Sequence, residues 1–374
     1  MKLINFALLA ILITSAAACG KKSSKSKSSV QRSTFFVQGD PESVVAGSTL
    51  NPTSFLTSTN VDMIDGFELY SIYTFAERSE LMPEESGDIE AGQEASTDNE
   101  LLQERPTFKL KKSYDGVSYE STDAKIIFSF SKSLGSVLNL EQITYSGVDF
   151  PVKVLHYSLK QDQEAFSLLV NVEDSTGKNL MAFTFVKKKA QNLSTASAYY
   201  KYIAGPGVKA RWNKAETLKV RLCSPPTASL AYQYRYGITL WSSSLSSLLP
   251  FEIETVTSYP PFSDLNFHCI YNVSSYITVA PDTGHANPAA TLPQIDRFKG
   301  EIIDSDILIF NSEIEKLGVT QEEYGKVGWI IGHEMGHFFG LDHQFDDSIK
   351  SIMSYDGIDY ITIYDRDAMR TLYQ

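Results

Sequence analysis

The 374 residues are 43% apolar and 12% aromatic, enough for a sizeable core and, at roughly 100–200 residues per domain, for two domains or three. Charged residues make up 21% of the chain, with no Gly-X-Y period and no sustained heptad, which excludes collagen, coiled coil and wholesale disorder. The 45 acids against 33 bases give a net charge of −12, which argues against broad electrostatic binding to nucleic acid, and three cysteines are too few for a disulfide scaffold.

Residues 1–18 read as a signal peptide. Lys2 supplies the positive start, residues 6–13 the apolar run, and Ala16-Ala17-Ala18 the small residues a signal peptidase needs. The run is shorter than the about 20 residues of a membrane span. Small residues directly before Cys19 resemble the lipobox of bacterial lipoproteins, with Ala16 where that motif usually has Leu. The resemblance implies an acylated Cys19 as the mature N-terminus; an ordinary signal peptide with a chance cysteine is the alternative. Residues 19–30 continue as a Ser/Lys tract that cannot pack and serves as a tether. Gly20, rather than Asp, resembles an outer-membrane sorting position. The expectation is an exported chain anchored by lipid in the bacterial cell envelope.

Residues 31–205 are expected to form a β-rich accessory domain of sandwich or barrel type. Strand-like alternation runs through 67–73, 126–130, 152–157, 166–172 and 181–186, with turn signals at Asp115-Gly116 and Thr176-Gly177. Residues 79–104 break this pattern with nine Asp or Glu and no Lys or Arg. Such a segment buries too little to offset its ordering entropy and is expected to be a disordered linker. His156 falls in a strand pattern and reads as structural. Gly205-Pro206-Gly207 is a breaker cluster at the expected boundary to a second domain, 206–374. There, 218–222, 251–256, 265–270 and 306–310 read as strands and 237–249 as a helix carrying Trp241.

The chemistry concentrates in His333-Glu334-Met335-Gly336-His337-Phe338-Phe339-Gly340-Leu341-Asp342-His343. Thr320 begins the preceding helix with Glu323 three residues on, a capping-box spacing. His333 and His337 are four apart and share one helix face, so both imidazoles can reach one zinc ion. Glu334 adjoins the first and can touch a water at the metal without being a ligand. Gly340 can take a positive φ, which ends the helix and turns the chain so that His343 supplies a third imidazole. Three protein ligands leave the fourth position open, as catalytic zinc requires.

This spacing resembles the metzincin clan of zinc metallopeptidases. Ser351-Ile352-Met353-Ser354-Tyr355, shortly after His343, resembles the Met-turn of that clan. The resemblance implies that Met353 underlies the three imidazoles and, as in astacins and serralysins, that Tyr355 is a switchable extra ligand. It also implies an α+β fold: a mixed twisted sheet with a zinc-binding helix and a C-terminal helix, preceded here by the β-rich domain. Residues 306–311 and the closing Thr362-Ile363-Tyr364-Asp365 look matrixin-like. Metzincin topology sets two strands side by side that here carry Cys223 and Cys269, so a disulfide between them is implied in an exported chain. Gln344-Phe345 after His343 matches no subfamily. No Gly/Asp repeats of calcium-binding type and no cysteine-switch motif are present.

The implied activity is that of an endopeptidase with one zinc ion and a protein or peptide substrate. Glu334 is the general base and Tyr355 a donor to the tetrahedral oxyanion. An exposed edge strand, 306–311 or the segment before it, would hold the substrate by β-augmentation. Two alternatives stay open: an inactive, binding or adhesion lipoprotein on the same framework, and a zinc hydrolase acting on cell-envelope material.

Overall fold

The alternating strands of the N-terminal half and the interleaved strands and helices of the C-terminal half build two sheets of different kinds. The computed structural model describes residues 34–38, 44–45, 47–48, 50, 56–76, 105–133, 135–174, 177–215, 217–223, 227–245, 247–273, 277–278, 288–316, 324–354 and 357–374. The signal peptide, Cys19 and its tether, the acidic 79–104 segment, the Thr320/Glu323 pair and Tyr355 lie outside these residues.

The first nine strands are β1 (Thr34–Gln38), β2 (Phe67–Ala76), β3 (Phe108–Lys112), β4 (Gly116–Ser121), β5 (Ile126–Lys132), β6 (Leu138–Tyr145), β7 (Val148–Leu159), β8 (Ala165–Asp174) and β9 (Gly177–Lys187). Neighbours from β3 to β9 pair antiparallel, and β9 pairs with β2. The sheet curls until β3 meets β2, which also pairs parallel with β1: Glu68 bridges Thr107, and the Gly66 N–H donates to Phe108 C=O at 3.1 Å. Alternate residues fill the enclosed side with aromatic rings, including Phe67, Phe108, Tyr119, Phe128, Phe166, Phe183 and Phe185. Phe166 and Phe185 stack with centroids 4.5 Å apart.

The C-terminal half continues with β10 (Leu218–Leu222), α1 (Ala228–Thr239), α2 (Ser242–Leu245), β11 (Phe251–Thr255), β12 (Cys269–Val273), β13 (Ile277–Thr278), β14 (Ala289–Asp296), β15 (Glu301–Phe310), α3 (Asn311–Lys316), α4 (Tyr324–Phe338) and α5 (Ile363–Tyr373). Its five-stranded sheet has the order β11-β10-β12-β15-β14, parallel except for β14. The short β13 instead joins β1 at the edge of the first sheet. The fold is therefore broadly α+β.

The five-stranded sheet is covered on both faces. On β15, Ile307 and Ile309 pack with α1, α4 and α5, while Leu308 and Phe310 pack with Tyr73, Phe75, Leu169, Leu180 and Ala182 of the N-terminal sheet. Polar contacts accompany that second layer. Arg297 grips Glu68 with two hydrogen bonds, one of 2.5 Å, in a buried pair. His156 Nε2 lies 3.0 Å from Asp264 Oδ2, and Ser71 Oγ donates to Gln294 Oε1 at 2.7 Å. His156 thus has a docking role. Cover on both faces leaves the last nine residues of β15 all buried, Asp304, Ser305 and Asp306 among them.

Three sequence expectations are corrected. The helix placed at 237–249 is two: α1 starts at Ala228, capped by the Thr227 hydroxyl, which accepts from the Leu230 N–H at 3.2 Å, and α2 follows after a break. Trp241 sits in that break, where its Nε1 donates to Gly332 C=O at 2.8 Å. The strand placed at 265–270 starts only at Cys269, because Asp264 spends 263–267 in a turn facing β7. Residues 306–311 do not form an edge: β15 is flanked by β12 and β14, and the preceding segment, β14, is the edge strand.

Candidate metal centre

Helix α4 carries glycines at 328, 332 and 336, four apart on one face, and they let α1 approach at backbone distance. A Cβ on Gly332 would lie 2.8 Å from Leu240 Cδ1, and one on Gly237 of α1 would lie 2.4 Å from Gly328 C=O. His333 and His337 each follow one of these glycines and stand about 100° further round the helix, on a shared face of their own.

The helix ends in a Schellman motif: Leu341 N–H donates to Gly336 C=O and Gly340 N–H to His337 C=O, both at 2.9 Å. Gly340 has φ +109°, and a Cβ there would lie 2.5 Å from Ala210 C=O, so only glycine fits. The reversal brings His343 back. The three side chains offer ring nitrogens within 4.8 Å of one another and form a group that could hold a metal ion.

The imidazoles are oriented from behind. His333 Nδ1 donates to Ile352 C=O and His337 Nδ1 to Leu341 C=O, each at 2.8 Å. With Nδ1 committed as the donor, each Nε2 keeps its lone pair toward the centre. His337 Nε2 and His343 Nε2 lie 3.2 Å apart. Two nitrogens bound tetrahedrally at 2.0–2.1 Å stand about 3.3–3.4 Å apart, so the spacing fits a zinc-sized ion. Burial, and the neighbouring His343 and His333, push the His337 pKa well below the usual histidine range, which favours the neutral ring that a metal site needs. Phe345 stacks on His343, with centroids 5.2 Å apart.

Glu334 is 8% exposed beside the first histidine. Its Oε2 accepts from Thr291 Oγ1 of β14 at 2.6 Å. Burial raises the Glu334 pKa, against the lowering pull of His333 and Thr291. Met353 is fully buried against the same helix: a Cβ on Gly336 would come within 2.1 Å of its Sδ. Its carbonyl accepts from the Gln344 N–H at 3.1 Å, next to His343.

The turn holding Met353 is fixed by α5. Thr362 caps this helix and Asp365 closes the capping box. The buried Asp365 carboxylate also accepts from Ser351 Oγ and from the Ile352 N–H, the latter at 3.1 Å. Cys223 and Cys269 form a disulfide with Cα atoms 5.6 Å apart, tying the end of β10 to β12.

The structure thus gathers His333, His337, His343 and Glu334 at one place and packs Met353 against their helix. Sequence reasoning missed Thr291 and the anchoring role of Asp365. Thr291 sits 43 residues from its partner in an edge strand with no motif; the capping-box spacing at Asp365 was visible, but not its second set of partners. No family model matches the chain, and a search of curated proteins finds no match.

Proposed function

We propose that the chain is a zinc-dependent endopeptidase of metzincin type, lipid-anchored through Cys19 in the cell envelope. One observation carries the reading: three imidazoles converge, two of them with their rear nitrogens tied to backbone carbonyls, and a buried carboxylate follows the first. The mixed sheet, the helix bearing two of the histidines and the capped C-terminal helix support it further. Structural zinc is usually closed by a fourth protein ligand; the described residues bring only three together here.

A bound zinc ion would polarise the scissile carbonyl and acidify a water molecule. Glu334 then takes the water proton as the water attacks and delivers it to the leaving amine. A carboxylate whose pKa is raised by burial is a better base and suits both halves of that transfer. Thr291 holds the carboxylate from the strand side. Tyr355 is assigned to the oxyanion by resemblance alone. The edge strand β14 presents the backbone to which an extended substrate adds.

The test compares zinc content with cleavage of a mixed peptide library in the wild type and two variants. Glu334→Ala keeps all three imidazoles; it should retain about one zinc ion per chain while turnover falls by roughly 10²–10⁴-fold. His337→Ala should lose most of the metal and the activity together. Zinc-loaded wild type that cleaves nothing would favour the binding lipoprotein, and wild type without zinc would remove the site assignment.

A further inference from the structure

The edge strand is not open along its whole length. Residues two apart in a strand turn their backbone groups to the same side. Pro288 C=O accepts from the Phe310 N–H of β15 at 2.9 Å, so even-numbered residues of this segment face β15. Ala289, Thr291 and Pro293 therefore face the free edge. Pro293 has no N–H to offer, and its C=O accepts from the Tyr73 hydroxyl of β2 at 3.3 Å.

Tyr73 is itself immobilised. It is buried, with its ring 5.7 Å from Phe262. Further along, Ser71 holds Gln294 and Glu68 holds Arg297, so β2 lies against β14 over three successive contacts. A strand pairing with β14 past Thr291 would have to displace this seam, which includes a buried ion pair. At Ala289 and Thr291, by contrast, no described residue takes the outward backbone groups, and the Thr291 side chain reaches Glu334.

Resting on the peptidase reading, we infer that the N-terminal sheet ends the substrate-pairing edge at Pro293, with Tyr73 setting the limit. An extended peptide then pairs with β14 through Ala289 and Thr291 only. On the Pro293 side it must leave the strand within one residue pair, about 7 Å along the backbone from Thr291. The β-rich half thereby shapes the cleft as well as covering a sheet face.

A backbone N-methyl scan of the best-cleaved library peptide tests this on the full chain. Each methyl removes one substrate N–H donor. In the wild type, losses of about 5-fold per hydrogen bond should fall on two substrate positions spaced two apart. Tyr73→Leu keeps an apolar side chain in the core but withdraws the phenol end from the Pro293 carbonyl. It should add a third sensitive position, two residues further on the side away from Ala289, in a variant whose melting curve shows it folded. Three such positions in the wild type, or an unchanged pattern in folded Tyr73→Leu, would overturn the inference while leaving the peptidase intact. Wild type that cleaves no peptide would overturn both.

Discussion

His333 and Asp365 hold the same residue by its two ends. Ile352 gives its carbonyl to His333 Nδ1 at 2.8 Å and its N–H to the Asp365 carboxylate at 3.1 Å. The C-terminal helix is thus connected to the candidate metal centre through one residue of backbone, and the orientation of an imidazole depends on a carboxylate that touches no ligand.

Asp365→Ala should therefore weaken metal binding without altering a ligand. Outer partners of ligating histidines typically account for about 10–100-fold in affinity. The substitution also strands the donors of Ser351, Ile352 and Thr362, so stability should drop by about 3 kcal/mol or more. Competition titration with a zinc chelator and a melting curve measure the two effects. Unchanged affinity in a folded variant would break the connection drawn above.

Thr291→Val removes one hydroxyl from the carboxylate of Glu334 at nearly constant volume. Zinc content should stay at the wild-type level, kcat should fall by roughly 10-fold, and Thr291→Ser should restore most of it. A fall confined to KM would instead assign Thr291 to substrate binding.

Gly336→Ala should destabilise despite the higher helix propensity of alanine. The added methyl would meet Met353 Sδ at 2.1 Å and Trp241 Cζ2 at 3.1 Å. Overpacking of this kind costs about 1–3 kcal/mol, against a propensity gain of about 1 kcal/mol. A melting temperature equal to that of the wild type would show that Met353 is not held in place.

Burial raises the Asp304 carboxyl well above its ordinary range, and its Oδ2 has no hydrogen-bond partner among the described residues. Between the unfolded carboxylate value near 4 and the raised native one, the folded chain binds the extra proton. Stability from this group is thus full below pH about 4 and is lost as pH rises. Asp304→Asn removes that dependence. The variant should gain on the wild type at pH 8, and the difference in melting temperature should shrink as pH is lowered to 5. A difference that grows on acidification would mean that Asp304 is ionised, paired with His268 at 2.7 Å.

Local signals were legible and distant ones were not. The spacing of His333, His337, Gly340 and His343 foretold the helix, its end at a positive φ and the return of the third imidazole, because all of these act within one or two turns. Strands β5, β7, β8 and β9 were visible in their alternation. β14 was missed: Pro293 interrupts it, and burial of both sheet faces removes the alternation that marks a half-buried strand. The order of strands, which makes β14 the edge instead of 306–311, is set by pairing across tens of residues and leaves no periodic trace. The same holds for Thr291 with Glu334 and for Glu68 with Arg297, 229 residues apart.

The doubly covered sheet also governs how the chain tolerates change. In β6 the buried Leu138 and Leu140 alternate with the exposed Asn139 and Glu141, so charge is admissible at every second position there. In β15 nine consecutive residues are buried, with helices on one side and the N-terminal sheet on the other. Neither phase of that strand has water to receive a new charge. A saturation scan scored on folded yield should trace the first half of β6 as a ripple with a two-residue wavelength and β15 as an unbroken intolerant band.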